Sequence, residues 1–361
     1  MRVSIGQIAR EAGVDKSTVS RILTGKADAA RISQPRIAHV RRVANTLGYW
    51  PNLAARTVST GRFFNVLMVH GTRAHTSGLS WEILTAAHDS LATAGYHLTY
   101  ARVPDELLTD PKYVPHCLQH WMCDGLLINY IAGVPDRMVE LLRTHGLPSV
   151  WINTKSEVDC VRPDDLGAGA QIGRRLIELG HRHIAYMDRS LYRSAAEGVQ
   201  HYSKRDRLAG CRQEVELAGG RLELWCDPEW TPGAEMPFVR AQLARQDRPT
   251  AVVSYSQAEA VACQMAALAA GLTLPIDLSL VTFGLPASTP MDELHMCMAV
   301  QPDLRVGAEA VRMLLAKVHR PAIPQPAVSV PFAWEEGQTL ASPPRAKTGR
   351  PRTSRAAIGT R

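Results

Sequence analysis

Ile8-Ala9-Arg10-Glu11-Ala12-Gly13-Val14-Asp15-Lys16-Ser17-Thr18-Val19-Ser20-Arg21-Ile22-Leu23 is the stretch whose pattern sets the fold of the amino-terminal region. Apolar residues recur at helical spacing on either side of Ala12-Gly13-Val14: Ile5, Ile8, Ala9 and Ala12 first, then Val19, Ile22 and Leu23. Gly13 stops the first helix, because glycine enters the left-handed region at no steric cost. Just upstream, Ser4-Ile5-Gly6-Gln7 reads as a capping box, with the Ser hydroxyl accepting a backbone N–H and Gln reaching back to the cap. Asp15 is placed to cap a second helix that runs from Lys16 toward Gly25, and Lys16, Ser17, Ser20 and Arg21 line its outer face. Ser33 and Pro35 open a third helix with the stripe Ile37, Val40, Val43, Ala44 and Leu47, and Gly48 ends it. Two short helices joined at a glycine turn predict a helix-turn-helix, whose second helix fits the DNA major groove and meets base edges with its first residues. A plain three-helix module with a solvated polar face has the same pattern.

The charge distribution separates these readings. Residues 1–62 hold 11 Lys/Arg against 3 Asp/Glu, a net +8, whereas residues 63–340 carry a net −7 and residues 341–361 a net +6. A compact basic head is the electrostatic footprint of a polyanion binder, nucleic acid or an acidic membrane surface. With 361 residues, 45% of them hydrophobic, the chain is long enough for two or three domains with cores of their own. Its longest apolar runs, such as Val66–Val69 and Leu126–Ile128, fall far short of the roughly 20 residues of a membrane span. Met1-Arg2-Val3-Ser4 leads into a polar amphipathic segment, so no secretory signal is expected. Seven cysteines, scattered from Cys117 to Cys297 without a CxxC pair, argue against a disulfide framework or zinc ribbon and for a reducing cytoplasm.

From Asn65 onward strand-like runs (Val66–Val69, Leu98–Ala101, Gly125–Asn129, Ser149–Ile152, His183–Met187, Ala251–Ser254, Leu278–Phe283) alternate with helical ones (Trp81–Ala94, Asp136–His145, Gly167–Leu179, Arg205–Ala218, Pro237–Gln246, Gln257–Ala270). This alternation predicts an α/β body with parallel sheet covered by helices on both faces. Two motifs within it suggest other chemistry and fail on detail. Gly167-Ala168-Gly169-Ala170-Gln171-Ile172-Gly173 resembles a dinucleotide fingerprint, but its third glycine comes one residue late and Asp164-Asp165 stand where an apolar strand should end. His181-Arg182-His183 offers two metal-ligand side chains with no third spaced nearby. No Ser/His/Asp or paired-carboxylate arrangement stands out, so no catalytic site, resident cofactor or metal is expected.

The head motifs Ile8-Ala9-Arg10-Glu11-Ala12-Gly13-Val14, Ser17-Thr18-Val19-Ser20-Arg21, Gly48-Tyr49-Trp50-Pro51-Asn52 and Ala54-Ala55-Arg56 resemble those of the lactose-repressor (LacI/GalR) family in order and spacing. The resemblance covers about residues 3–340. It implies a cytoplasmic, nucleoid-associated bacterial transcription regulator, a homodimer on a pseudo-palindromic double-stranded operator, with affinity controlled by a small effector. The expected organisation is a helix-turn-helix head over residues 1–50, a hinge over 51–62, a two-lobed effector-binding and dimerisation body over 63–340, and a disordered basic tail over 341–361. The lobes, of periplasmic-binding-protein-like fold, would be about 63–163 plus 297–325 and about 164–296 plus 326–340. DNA contacts are expected from Ser4, Lys16, Ser17, Thr18, Ser20 and Arg21, with Lys16, Ser17 and Arg21 nearest base edges. Asn52, Ala55, Arg56 and Val58 would contribute from the hinge, either a segment that turns helical on DNA and wedges Val58 into the minor groove or a plain linker. Leu is usual in the family where this chain has Val58.

Ligands of open α/β sheets sit at the carboxyl ends of the strands, where His70, Arg73, Asn129, Asn153, Ser256 and Gln257 fall. By resemblance, Arg207 matches the family's effector-clamping arginine, and Asn129, Asn153 and Trp230 match effector-contacting positions. Trp230 also suits a core position, and the two asparagines suit turns. A guanidinium fork, amides and an aromatic face suit a sugar or related polyhydroxyl ligand. The family's Asn-Asp is replaced by Ser256-Gln257 and its Gly-Phe-Asp-Asp by Thr282-Phe283-Gly284-Leu285, which removes a strong acceptor for sugar hydroxyls. In the tail, Thr348-Gly349-Arg350-Pro351-Arg352 resembles an AT-hook core with Thr in place of its leading Arg, giving either a minor-groove contact or a solvated basic tail.

Overall fold

Ser4 starts the head as its sequence requires: its hydroxyl accepts the Gln7 N–H at 3.3 Å, while Gln7 Oε1 accepts the Ser4 N–H at 2.7 Å. Helix α1 spans Ile5–Ala12, Gly13 closes it at φ 63°, and α2 (Lys16–Leu23) and α3 (Gln34–Thr46) follow. Asp15 and Ser33 occupy the N-cap positions of α2 and α3, yet neither side chain makes the expected cap hydrogen bond. Both side chains stay exposed to water, which hydrates them in place of the backbone. Ile8, Ala9, Ala12, Val19, Ile22, Ile37, Val40 and Ala44 bury the inner faces of all three helices in one core.

The structure, a computed structural model, describes residues 3–24, 31–50, 57–58, 60–72, 78–119, 122–131, 134–191, 200–226, 235–285 and 295–344. Gly25, Asn52, Ala55, Arg56, Arg73, Trp230 and the tail after Pro344 lie outside the described residues. The chain divides into two compact units, Met1–Phe64 and Asn65–Arg361.

The body begins with β1 (Asn65–Gly71), α4 (Trp81–Thr93), β2 (His97–Val103), α5 (His116–Gln119), β3 (Gly125–Asn129), α6 (Asp136–His145), β4 (Ser149–Ile152) and β5 (Cys160–Pro163). It continues with α7 (Asp165–Glu178), β6 (His183–Met187), α8 (Tyr202–Leu217), β7 (Arg221–Trp225), α9 (Glu235–Leu243), β8 (Ala251–Ser254), α10 (Gln257–Ala269) and β9 (Ser279–Gly284). The last elements are β10 (Cys297–Val300), α11 (Asp303–His319), β11 (Val328–Val330) and β12 (Ala333–Glu335). Two six-stranded sheets result, ordered β11-β5-β4-β3-β1-β2 and β12-β10-β9-β8-β6-β7. All pairings are parallel except that of β12 with β10. Residues Ile83, Leu91, Val306 and Leu314 of α4 and α11 cover one face of the first sheet, and Met138, Leu141 and Leu142 of α6 cover the other. In the second sheet α7 and α8 lie on one face and α9 and α10 on the opposite one. This is the expected two-lobed, doubly wound body.

The lobe boundaries need correction. Cys297–Val300 pairs with β9 in the second sheet, and Val328–Val330 pairs with β5 in the first. β10 lies between β9 and β12, and β11 forms the edge beside β5, so the chain crosses between lobes at 163–165, 300–303 and 330–333.

The glycines of the apparent fingerprint have a packing role. A Cβ on Gly169 would fall 2.1 Å from the Arg207 carbonyl oxygen, and one on Gly210 2.1 Å from that of Leu166. Gly173 approaches the Cys211 carbonyl similarly. Small residues on both helices let the α7 and α8 backbones touch, which fixes Arg207 against the start of α7. Among the described residues no helix is long and apolar enough to cross a membrane.

Candidate functional site

On the head, α2 presents its outer face as expected: Lys16, Ser17 and Arg21 are exposed, and Thr18 and Ser20 are half-buried. Among the described residues no side-chain hydrogen bond or ion pair engages Lys16, Ser17 or Arg21. The Lys16 stem crosses Gly6, 3.1 Å from where a Cβ would sit, so the ammonium is carried over the start of α1. Ser4 is exposed beside it, though its hydroxyl already serves the capping box. Such a surface can donate hydrogen bonds to base edges and phosphates without first losing internal ones.

Toward the end of the first unit, Thr57, Val58 and Thr60 have helical backbone, and the Gly61 N–H donates to the Thr57 carbonyl at 2.8 Å. Gly61 follows at φ 68°. Val58 is 89% exposed.

In the body, the candidate residues fall into two groups. His70 and Asn129 are ladder partners at the ends of β1 and β3. The His70 ring packs on Tyr100 at 4.8 Å between centroids, and Asn129 Nδ2 donates to the Gly78 carbonyl at 3.0 Å. Asn153, Arg207, Ser256 and Gln257 gather around the start of α8 and the end of β8. Ser256 caps α10, its hydroxyl facing the Glu259 N–H and its own N–H donating to the Glu259 carboxylate at 3.0 Å. Gln257 Nε2 donates to the Leu285 carbonyl at 3.3 Å.

Arg207 occupies the centre of this second group and is almost wholly buried. Its Nε donates to Asp165 at 2.7 Å, Nη1 to the Tyr255 carbonyl at 3.3 Å and Nη2 to Gln301 at 3.3 Å. The rings of Phe283, Tyr255 and Phe332 stand 4.7, 4.9 and 5.3 Å from the guanidinium carbon. Asp165, Gln301 and Phe332 lie at the three interlobe crossings, one at each, so a single side chain ties all three. Burial alone would lower the Arg207 pKa; the Asp165 carboxylate, with its neighbours, reverses this and raises it. The fork that the sequence offered to a ligand is therefore engaged internally.

A second tie crosses between the lobes through Asn153, whose backbone is left-handed at φ 58°. Tyr202 OH donates to Asn153 Oδ1 at 3.1 Å, and His201 Nε2 lies 3.1 Å from the Asn153 carbonyl. A carbonyl only accepts, so Nε2 carries the proton and Nδ1 accepts from Ser203 Oγ at 2.6 Å. Tyr255 OH then donates to Ser203 at 2.8 Å, completing a chain of bonds from β8 to the first lobe. Burial lowers the His201 pKa, which favours this neutral form. Lys155 pairs with Asp206 at 2.8 Å across the same gap.

Sequence reasoning missed Asp165, Tyr255, Gln301 and His201. Tyr255 and Gln301 follow β8 and β10, so the strand-end rule that selected Ser256 could have found them. Asp165 pairs with a residue 42 positions away and had no local signal. The two histidines once considered for a metal are structural: His181 bonds Thr250 and the Ala341 carbonyl, each at 2.8 Å, and His183 bonds Glu223 at 3.0 Å. No cluster of three metal-ligating side chains occurs among the described residues.

Comparison with known proteins gives matches for both units. Residues 4–52 match the model of bacterial regulatory proteins, lacI family, and residues 174–340 that of a periplasmic-binding-protein-like domain. Catabolite control protein A of Priestia megaterium is 23% identical over 345 residues, 94% of this chain and 99% of that protein. Among solved structures, the lac repressor dimer bound to operator and an anti-inducer superposes with a TM-score of 0.70 at 18% identity, covering 94% of this chain and all of that one. The transcriptional regulator CelR in complex with cellobiose gives 0.60 at 21% identity with the same coverage.

Proposed function

Because the chain belongs to the lacI family of bacterial regulatory proteins, we propose that it is a cytoplasmic repressor that binds a pseudo-palindromic operator as a homodimer and changes operator affinity when a small effector enters between its lobes. The observation that carries this reading is the α2 face: Lys16, Ser17 and Arg21 stand exposed and unengaged on a fixed three-helix core, within an amino-terminal stretch (residues 1–62) of net charge +8. Arg21 offers the fork that pairs with a guanine edge, Lys16 and Ser17 reach neighbouring base edges, and Ser4, Thr18 and Ser20 serve phosphates. Val58 adds an apolar wedge from the hinge, to which the sequence also assigns Asn52, Ala55 and Arg56.

In the body, His70, Asn129, Asn153, Arg207, Ser256 and Gln257 are taken as effector-cleft residues, and Arg73 and Trp230 are assigned to the same role from the sequence alone. The cellobiose seated in the CelR relative supports a sugar or related polyhydroxyl ligand. Met265, Leu268 and Ile276, more than half exposed on and just after α10, suit burial against a second copy of the chain. The protein works by binding, without catalysis or a resident cofactor.

Selection from a pool of randomised duplex DNA tests the reading. A two-fold symmetric site, bound at two protomers per duplex, is the expected product. An unenriched pool would refute sequence-specific binding, and an asymmetric site bound by one protomer would refute the dimer.

A further inference from the structure

We infer that Asp165 sets the chemical class of the effector: the cleft takes uncharged, hydroxyl-rich molecules and rejects carboxylates and phosphates. This rests on the reading of the cleft as an effector site and deepens it. An arginine at the centre of a ligand cleft ordinarily suits an anion, since its fork matches a carboxylate or phosphate. Here that place is filled from within the chain, because the Asp165 carboxylate lies 2.7 Å from Arg207 Nε and both side chains are almost wholly buried. On the other side of Tyr255, the Lys204 ammonium stands 3.9 Å from the ring centroid and is held by Asp188 at 2.8 and 3.0 Å and by Ser190 at 2.9 Å. All three of its protons have acceptors. A further carboxyl, Asp303 at the start of α11, is almost wholly buried, and burial raises its pKa.

The two cations around Tyr255 are thus each paired with a buried carboxylate, Arg207 with Asp165 and Lys204 with Asp188. An anionic ligand would have to displace Asp165 from Arg207 while that carboxylate stays buried, or sit beside it as a second negative charge. A hydroxyl meets neither obstacle. Three of the five guanidinium N–H groups are engaged, which leaves two for neutral oxygens.

The test is equilibrium binding of gluconate and of inorganic phosphate to the full chain, to Asp165→Asn and to Asp165→Asn/Arg207→Met. The wild-type chain is expected to bind neither anion beyond the level of the double variant, which reports whatever the basic head takes up. Asp165→Asn, which frees the guanidinium charge, should bind gluconate at least about tenfold more tightly than wild type, and the double variant should lose that gain. Equal gluconate affinity in wild type and Asp165→Asn overturns the inference, as does a single variant that gains nothing. Should the variants fail to fold, the wild-type measurement decides: no saturable gluconate binding is expected, and saturable binding at one gluconate per protomer would overturn the inference. Binding of the wild-type chain to its selected DNA site, recorded in parallel, separates failure of the regulator reading from failure of this one.

Discussion

On the α2 face, Lys16, Ser17 and Arg21 project from a rigid helix with no internal side-chain partner among the described residues, whereas Arg207 already donates to Asp165, to the Tyr255 carbonyl and to Gln301. A partner meeting the first surface gains hydrogen bonds and loses only water. A ligand entering the second region has to exchange with bonds the protein makes to itself, and those bonds join the three crossings between the lobes. Binding at the first surface is thus a matter of complementarity. At the second it is necessarily coupled to how the lobes are held.

The sharpest way to break this comparison is to remove the central tie. Arg207→Ala leaves Asp165 buried without its counter-ion, and should destabilise the body by about 3–5 kcal/mol. Replacing both partners, as in Asp165→Asn/Arg207→Met, should recover most of that loss, because no buried charge remains. Urea unfolding of the three proteins checks both outcomes. If Arg207→Ala were as stable as wild type, the ion pair would not hold the crossings.

A smaller effect comes from Glu259 at the start of α10, whose pKa burial and the nearby Asp188 push from 4.5 up to about 7. The folded protein binds this proton more tightly than the unfolded chain does, so its contribution favours folding below about pH 4.5 and is lost as pH rises toward 7. Glu259→Gln keeps a capping side chain but cannot ionise. Relative to wild type it should gain stability with rising pH across that window, by up to about 3 kcal/mol. Denaturation midpoints at pH 4.5 and 7.5 measure this, and an identical pH profile for the two proteins would contradict it.

The smallest effect belongs to the hinge. Val58→Leu enlarges an exposed apolar wedge and should tighten operator binding by about 0.5–1 kcal/mol with a larger bend, and Val58→Gly should weaken both. Gel-mobility bending assays with affinity titrations distinguish the three. Equal bending by all of them would return residues 51–62 to a plain linker.

The same contrast explains what was legible in the sequence. Periodicity and glycine punctuation located α1, α2 and α3, and β3, β4, β6 and β8 fall on the residues that their apolar runs marked. These signals are local, and the exposed α2 face needs nothing more than its helix to be seen. The short strands β10 and β11 were placed in the wrong lobe, since the sheet each one joins is a property of the whole body rather than of its own residues. Asp165 is the extreme case. It read as a flaw in a nucleotide-binding pattern, and its actual role depends on close helix packing through Gly169 and Gly210.

The central claim, that the unengaged α2 face reads DNA directly, is tested most directly by operator affinity for wild type and Arg21→Ala on the selected site and on a single-base variant of it, at two salt concentrations. Arg21 is the forked donor on that face, so Arg21→Ala should lose about 1–3 kcal/mol on the selected site and discriminate less between the two sequences. Unchanged affinity and unchanged discrimination would show that the face carrying Lys16, Ser17 and Arg21 is not the one that recognises DNA.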